Sequence, residues 1–138
     1  MNCKINCKRL AMSVVAVFAF IFVSDFIIHG QLLSGIYKET AALWRPESEM
    51  QSYMPWMIFA QLLMGTFLCL IFTYGQENKG IGEGVRYGLY IGAFSAAHSF
   101  VWYAVAPIPQ TLLWGWVGSC LVQSMISGVI VSLIYKKA

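Results

Sequence analysis

The chain reads as an all-α polytopic membrane protein: an antiparallel bundle of four transmembrane helices in one domain, with both termini on the cytoplasmic side. Three observations predict this. There are four long apolar runs, the basic residues are strongly asymmetric about them, and every tryptophan falls on one side. Of 138 residues, 59% are hydrophobic and only 11% charged, far below the roughly 25% charged residues of a soluble domain.

The runs extend from Leu10 to Leu33, Pro55 to Thr73, Val85 to Ala106 and Leu112 to Tyr135. Each is close to the roughly 20 residues a helix needs to cross the hydrocarbon core. Only helices and closed barrels satisfy the backbone in lipid, and these runs lack the short alternating pattern of barrel strands. The N-terminal MNCKINCKRL followed by AMSVVAVFAFIFV has the basic-then-apolar order of a signal peptide. No A-x-A-like cleavage site follows, and Ser24, Asp25 and His29 interrupt the segment before it continues apolar, so a retained first span is expected.

With the N-terminus inside, cytoplasmic segments carry Lys4, Lys8, Arg9, Lys79, Arg86, Lys136 and Lys137, and outer segments only Lys38 and Arg45. Seven basic residues against two sets the orientation by the positive-inside rule. Trp44, Trp56, Trp102, Trp114 and Trp116 then all lie at the outer interface, where indole buries its ring and keeps its N–H wet. The short AVAPIPQT and GQENKGIGEG connections imply antiparallel neighbours. The outer loop 34–54 is longer, and Pro46 followed by Glu47 and Glu49 is suited to open a short helix there.

Small residues recur at four-residue spacing. Gly84, Gly88, Gly92 and Ala96 form one seam, Gln61, Gly65, Cys69 and Thr73 a second, and Cys120, Ser124, Gly128 and Ser132 a third beside Gly115, Ser119, Gln123 and Ser127. In lipid such seams permit close backbone approach, and van der Waals contact then drives association. Packing is the expected role.

Asp25 stands out, because an ionisable carboxylate inside a span normally faces a cavity or a partner. His29 lies four residues later on the same helical face. Counting about 1.5 Å per residue from the outer ends of the runs, Asp25, Gln61 and His98 lie at similar depths of roughly 10 to 13 Å, with His29 slightly higher. Asp25, His29, Gln61 and His98 are therefore the candidate intramembrane polar site. It reads either as a hydrogen-bonded lock on helix register or as a proton relay through a carboxyl group and an imidazole that changes charge near neutral pH.

Other chemistry finds little support. A net charge of +3, spread along the chain, does not form the clustered basic face of a nucleic-acid binder. Two histidines without H-E-x-x-H, C-x-x-C or C-x-x-C-H spacing carry no metal or haem expectation, so no cofactor is expected. Cys3 and Cys7 precede the first run while Cys69 and Cys120 lie inside later ones, which disfavours a disulfide framework. No G-x-S-x-G elbow, Walker A loop or dinucleotide fingerprint occurs, and GIGEGVRYG lacks both the Lys-Ser/Thr ending and a preceding strand.

The succession DFIIHG, YKETAALWRPE and EGVRYGLYIG resembles a group of uncharacterised small four-helix bacterial integral membrane proteins, over most of the chain. The resemblance implies a bacterial cytoplasmic (inner) membrane and brings no activity, cofactor or site residue with it. The functional expectation is a non-enzymatic accessory or assembly subunit of a membrane complex, or a homo-oligomer, with the lipid bilayer and a membrane-protein partner as its surroundings. The alternative is a small proton-linked transporter or channel using the Asp/His/Gln cluster.

Overall fold

A computed structural model describes residues 5–135, all of whose regular structure is helical. Cys3, Lys4, Lys136 and Lys137, which entered the reading of thiols and orientation, lie outside the described residues. The elements are α1 (Cys7–Ile27), a π-helical turn (Ile28–Leu32), α2 (Ser34–Glu39), a 3-10 turn (Ala41–Leu43), α3 (Glu47–Gly75), α4 (Ile81–Val105) and α5 (Gln110–Ile134).

Three helical stretches are long and apolar enough to cross a membrane: Cys7–Leu32, Glu47–Gly75 and Gln110–Ile134. The sequence expectation of four is met in number of long helices but not in composition. α4 is as long as α5, at 25 residues each, yet its glycines and Glu83, Arg86 and His98 dilute its apolar content.

Helix ends follow local chemistry. Asn6 caps α1, its side-chain oxygen accepting from the Arg9 N–H at 3.2 Å. α3 begins eight residues before the apolar run at Pro55, because Pro46 sits at its N-cap and Glu47 and Glu49 occupy the first turn, where carboxylates complement the helix dipole. The short helix expected after Pro46 is thus the start of α3 itself. Pro55 lies inside α3, removing one backbone donor without ending the helix.

The Gln76–Gly80 link is held by its own carboxylates. Asn78 and Gly80 take positive φ angles of 61° and 70°, giving the sharp reversal into α4. Glu83, 6% exposed, accepts from the backbone N–H groups of Glu77 and Lys79, so the link closes onto the first turn of α4. Glu77 in turn pairs with Lys79 and Arg86, and the hydrogen bonds from Lys79 and Arg86 draw its exposed carboxyl down to about 2.

The main packing surface joins α4 to α5. The glycine seam of α4 lies directly on the α5 backbone. A Cβ on Gly84 would meet the Gly128 carbonyl, one on Gly88 the Ser124 carbonyl and Met125 Cα, and one on Gly92 the Cys120 carbonyl and Leu121 Cα. Gly128 reciprocates against the Gly84 carbonyl. The α3 seam faces α1 instead, with Gly65 against Val17 and the Phe18 backbone. All three seams are therefore satisfied within one chain, as close-packed helix pairs in lipid require.

α1 stands between α3 and α5. At the end where α1 begins and α5 finishes, Val17, Ile21, Leu68, Cys69, Phe72, Val131 and Tyr135 form the core. There the Arg9 guanidinium donates to the Ile134 carbonyl at 3.0 Å, and Gln76 donates to the Tyr135 carbonyl at 3.0 Å. At the far end, Leu33, Ile108 and Leu112 form a second cluster, and Leu33 fills the space left by the missing side chain of Gly115.

Candidate functional site

Asp25 sits in the last turns of α1, where that helix lies between α3 and α5. Its carboxylate is held from both sides. Gln61 of α3 donates through Nε2 to Oδ2 at 2.6 Å, and Gln123 of α5 donates through Nε2 to Oδ1 at 2.6 Å. Gln123 Nε2 also reaches Ser24 Oγ at 2.8 Å. One half-buried carboxylate thereby ties three helices at one level. A charge accepting two amide N–H bonds is far cheaper to hold away from water than a bare one, and charge-assisted bonds are the stronger kind.

Of the four sequence candidates, Asp25 and Gln61 touch. His29 does not join them by hydrogen bond, although it follows Asp25 by four residues. It lies in the π-helical turn, where the Leu33 N–H bonds the Ile28 carbonyl at 2.8 Å. His29 Nδ1 instead meets the Tyr37 hydroxyl at 2.7 Å, and Asp25 acts on the imidazole through its charge alone. His98 stands apart, on an exposed face of α4 beside a shallow depression of about 360 Å³ shared with Phe94 and Val101. Gly88 of α4 faces Ser124, next to Gln123, and His98 lies ten residues further along α4, so it is off the Asp25 level as well as on another face.

Tyr37 organises a second polar layer above the first. The Trp116 indole N–H donates to its oxygen at 2.8 Å, and the Trp44 indole N–H donates to Thr40 Oγ1 at 2.9 Å. Trp44 packs edge-on against Tyr37 and Trp116, at centroid distances of 5.5 and 6.2 Å. The Trp116 N–H takes one acceptor lone pair of the Tyr37 hydroxyl, and the bond between that hydroxyl and His29 Nδ1 runs in the direction the imidazole tautomer sets. Burial pushes the Tyr37 phenol above its ordinary value, so the hydroxyl remains a donor.

Tyr37→Phe removes the junction between His29 and Trp116. Leaving both partially buried groups without their partner is expected to cost about 1–3 kcal/mol. Thermal unfolding followed by tryptophan emission measures it, and an unchanged midpoint and emission maximum would contradict the arrangement.

Gln123, Ser24, Tyr37 and Trp116 are the site residues that sequence reasoning passed over. For Gln123 a signal existed, since it belongs to the third small and polar seam. Tyr37 and Trp116 carry only an interfacial-aromatic signal, and their pairing depends on how the connection after α1 folds back. A second depression, of about 420 Å³, lies beside the Gln76–Gly80 link, between Phe72, Glu77, Arg86 and Tyr87, well removed from Asp25 in sequence and layer.

No family model, curated protein or solved structure matches the chain. The functional reading accordingly rests on the site and the fold.

Proposed function

We propose that this chain is a four-span bacterial inner-membrane protein with both termini in the cytoplasm, acting without chemistry of its own as an accessory or assembly subunit. The observation that carries this reading is the engagement of Asp25. Both carboxylate oxygens accept amide N–H bonds from neighbouring helices, an arrangement suited to fixing helix register. A second observation bears on the partner. Residues 47–60 of α3 are exposed all round, including Trp56 at 69% and Phe59 at 53%, so among the described residues no other helix covers this half of α3. Because the glycine seams are consumed inside the monomer, the contact surface for another membrane protein or a second copy is assigned to α3 rather than to the seams.

Four spans with α4 included explain why its glycine face packs so closely on α5, since helix association in lipid depends on such contact. The test is site-directed crosslinking in native membranes from cysteine placed at Trp56, with cysteine at exposed Tyr90 as a control. A discrete product of higher mass from Trp56→Cys supports the accessory reading. Only monomer, under conditions that label the thiol, overturns it.

A proton-linked transporter or channel is the second reading, favoured by one feature: the Gln61 Oε1 atom, buried beside Asp25, has no hydrogen-bond partner among the described residues. Proton flux in proteoliposomes that disappears in Asp25→Asn would replace the accessory role. Flux indistinguishable from empty liposomes would remove this reading.

A further inference from the structure

The depression beside the Gln76–Gly80 link gathers charges that the Asp25 cluster does not use. It has a volume of about 420 Å³, with Ile71 and Phe72 in the apolar part of its lining and Glu77, Glu83, Arg86 and Tyr90 in the polar part. Phe72 belongs to the core and meets Tyr87 edge-on at 5.2 Å, so packed rings back the hollow on its inner side.

The charges here are balanced, but the hydrogen-bond donors are not used up. Glu77 and Glu83 stand against Lys79 and Arg86, and Glu83 is taken up by the backbone N–H groups of Glu77 and Lys79. Arg86 donates to Glu77 Oε1 through Nη2 alone, at 2.6 Å, although a guanidinium carries N–H groups on all three of its nitrogens. The Tyr90 hydroxyl makes no hydrogen bond among the described residues. Both partners of the Glu77–Arg86 pair are partly exposed, at 41% and 47%, and Ile71 beside them is exposed at 51%.

Spare cationic and hydroxyl donors next to an ionised carboxylate, above apolar side chains, suit a ligand with an anion, an ammonium and attached hydrocarbon. A purely anionic headgroup would bring a charge that the balanced lining does not offset and set it against Glu77. A quaternary ammonium has no N–H to give a carboxylate, whereas a primary ammonium has three. Laid head-to-tail on the Glu77–Arg86 pair, a phosphoethanolamine group leaves that pair intact and adds one charge-assisted contact at each end.

We propose that this depression binds the phosphoethanolamine headgroup of a phospholipid, with Arg86 and Tyr90 on the phosphate, Glu77 on the ammonium and the acyl chains running along Ile71. The site rests on the four-span reading, which sets this end of α3 and α4 at the cytoplasmic headgroup level, and it goes beyond the accessory role.

The test uses the full chain in nanodiscs of equal parts phosphatidylethanolamine, phosphatidylcholine and phosphatidylglycerol with matched acyl chains. Native mass spectrometry reads the lipid that the released protein retains. A single phosphatidylethanolamine per chain is expected, enriched at least about tenfold over each of the others, the ratio that about 1.4 kcal/mol gives. Arg86→Gln and Glu77→Gln are expected to lose the enrichment, and Tyr90→Phe to lower it about threefold, as the loss of one neutral hydrogen bond does. Because the Tyr90 hydroxyl bonds nothing within the chain, Tyr90→Phe stays readable if the other two changes loosen the link. Soluble phosphoethanolamine is then titrated against the retained lipid. Saturable displacement shows that the headgroup chemistry suffices, and its absence makes the whole lipid the ligand. Equal retention of the three lipids, a preference for phosphatidylglycerol, or variants that keep the wild-type ratio overturn the site. A chain that does not enter nanodiscs overturns the four-span reading with it, so the two failures are told apart. Neither touches the crosslinking test at Trp56.

Discussion

Gly88→Ala is expected to destabilise the chain by about 3 kcal/mol or more, although alanine is the better helix former. The added methyl would enter the Ser124 carbonyl and Met125 Cα of α5, and these are backbone atoms that no rotamer change can clear. α4 must then move off α5 along the whole seam, losing the contacts at Gly84 and Gly92 as well. Gly118→Ala is the control: a Cβ there meets nothing within 4 Å, so the same change is expected to be neutral or stabilising by up to about 1 kcal/mol. Unfolding titrations of both variants in bicelles check the pair. Equal effects at the two positions would mean that the α4–α5 contact is looser than described.

Asp25→Ala carries the second large effect. Removing the carboxylate leaves the Gln61 amide donor without an acceptor and the Gln123 donor with Ser24 Oγ alone. Loss of a charged acceptor from two partners is expected to cost about 2–4 kcal/mol. Asp25→Asn retains one acceptor oxygen but turns an NH₂ toward the second amide, so a smaller loss is expected. The same unfolding titration separates the two, and an Asp25→Ala midpoint equal to wild type would contradict a structural role for the carboxylate.

Much of the architecture was legible because lipid-compatible helices advertise themselves. Run length and turn composition located four long helices, and the four-residue spacing of Gly84, Gly88 and Gly92 located a contact face. The spacing did not reveal which partner that face would meet. α3 was read as starting at Pro55 because apolar counting misses the polar turn that Pro46, Glu47 and Glu49 open. That error hid a useful regularity: Gln61 follows Pro46 by 15 residues, and Gln123 follows Pro109 by 14, so the two amides stand level once the true helix starts are used. His98 was included by a depth counted from the end of an apolar run, and that count misjudges both its level along α4 and its rotation. The hydrogen-bond partner of His29 was hidden because Tyr37 reaches it only once the connection after α1 has folded back. Tyr37 and Trp116 are 79 residues apart, and such a pairing exists only after the bundle has formed.

The central claim is that the Asp25 carboxylate couples α1 to both α3 and α5. Double-mutant cycles between Asp25→Asn and each of Gln61→Leu and Gln123→Leu, by unfolding in bicelles, test it most directly. A coupling of about 0.6–1.7 kcal/mol is expected for each pair, the range found for hydrogen bonds between membrane helices. Additive effects in both cycles would contradict the claim.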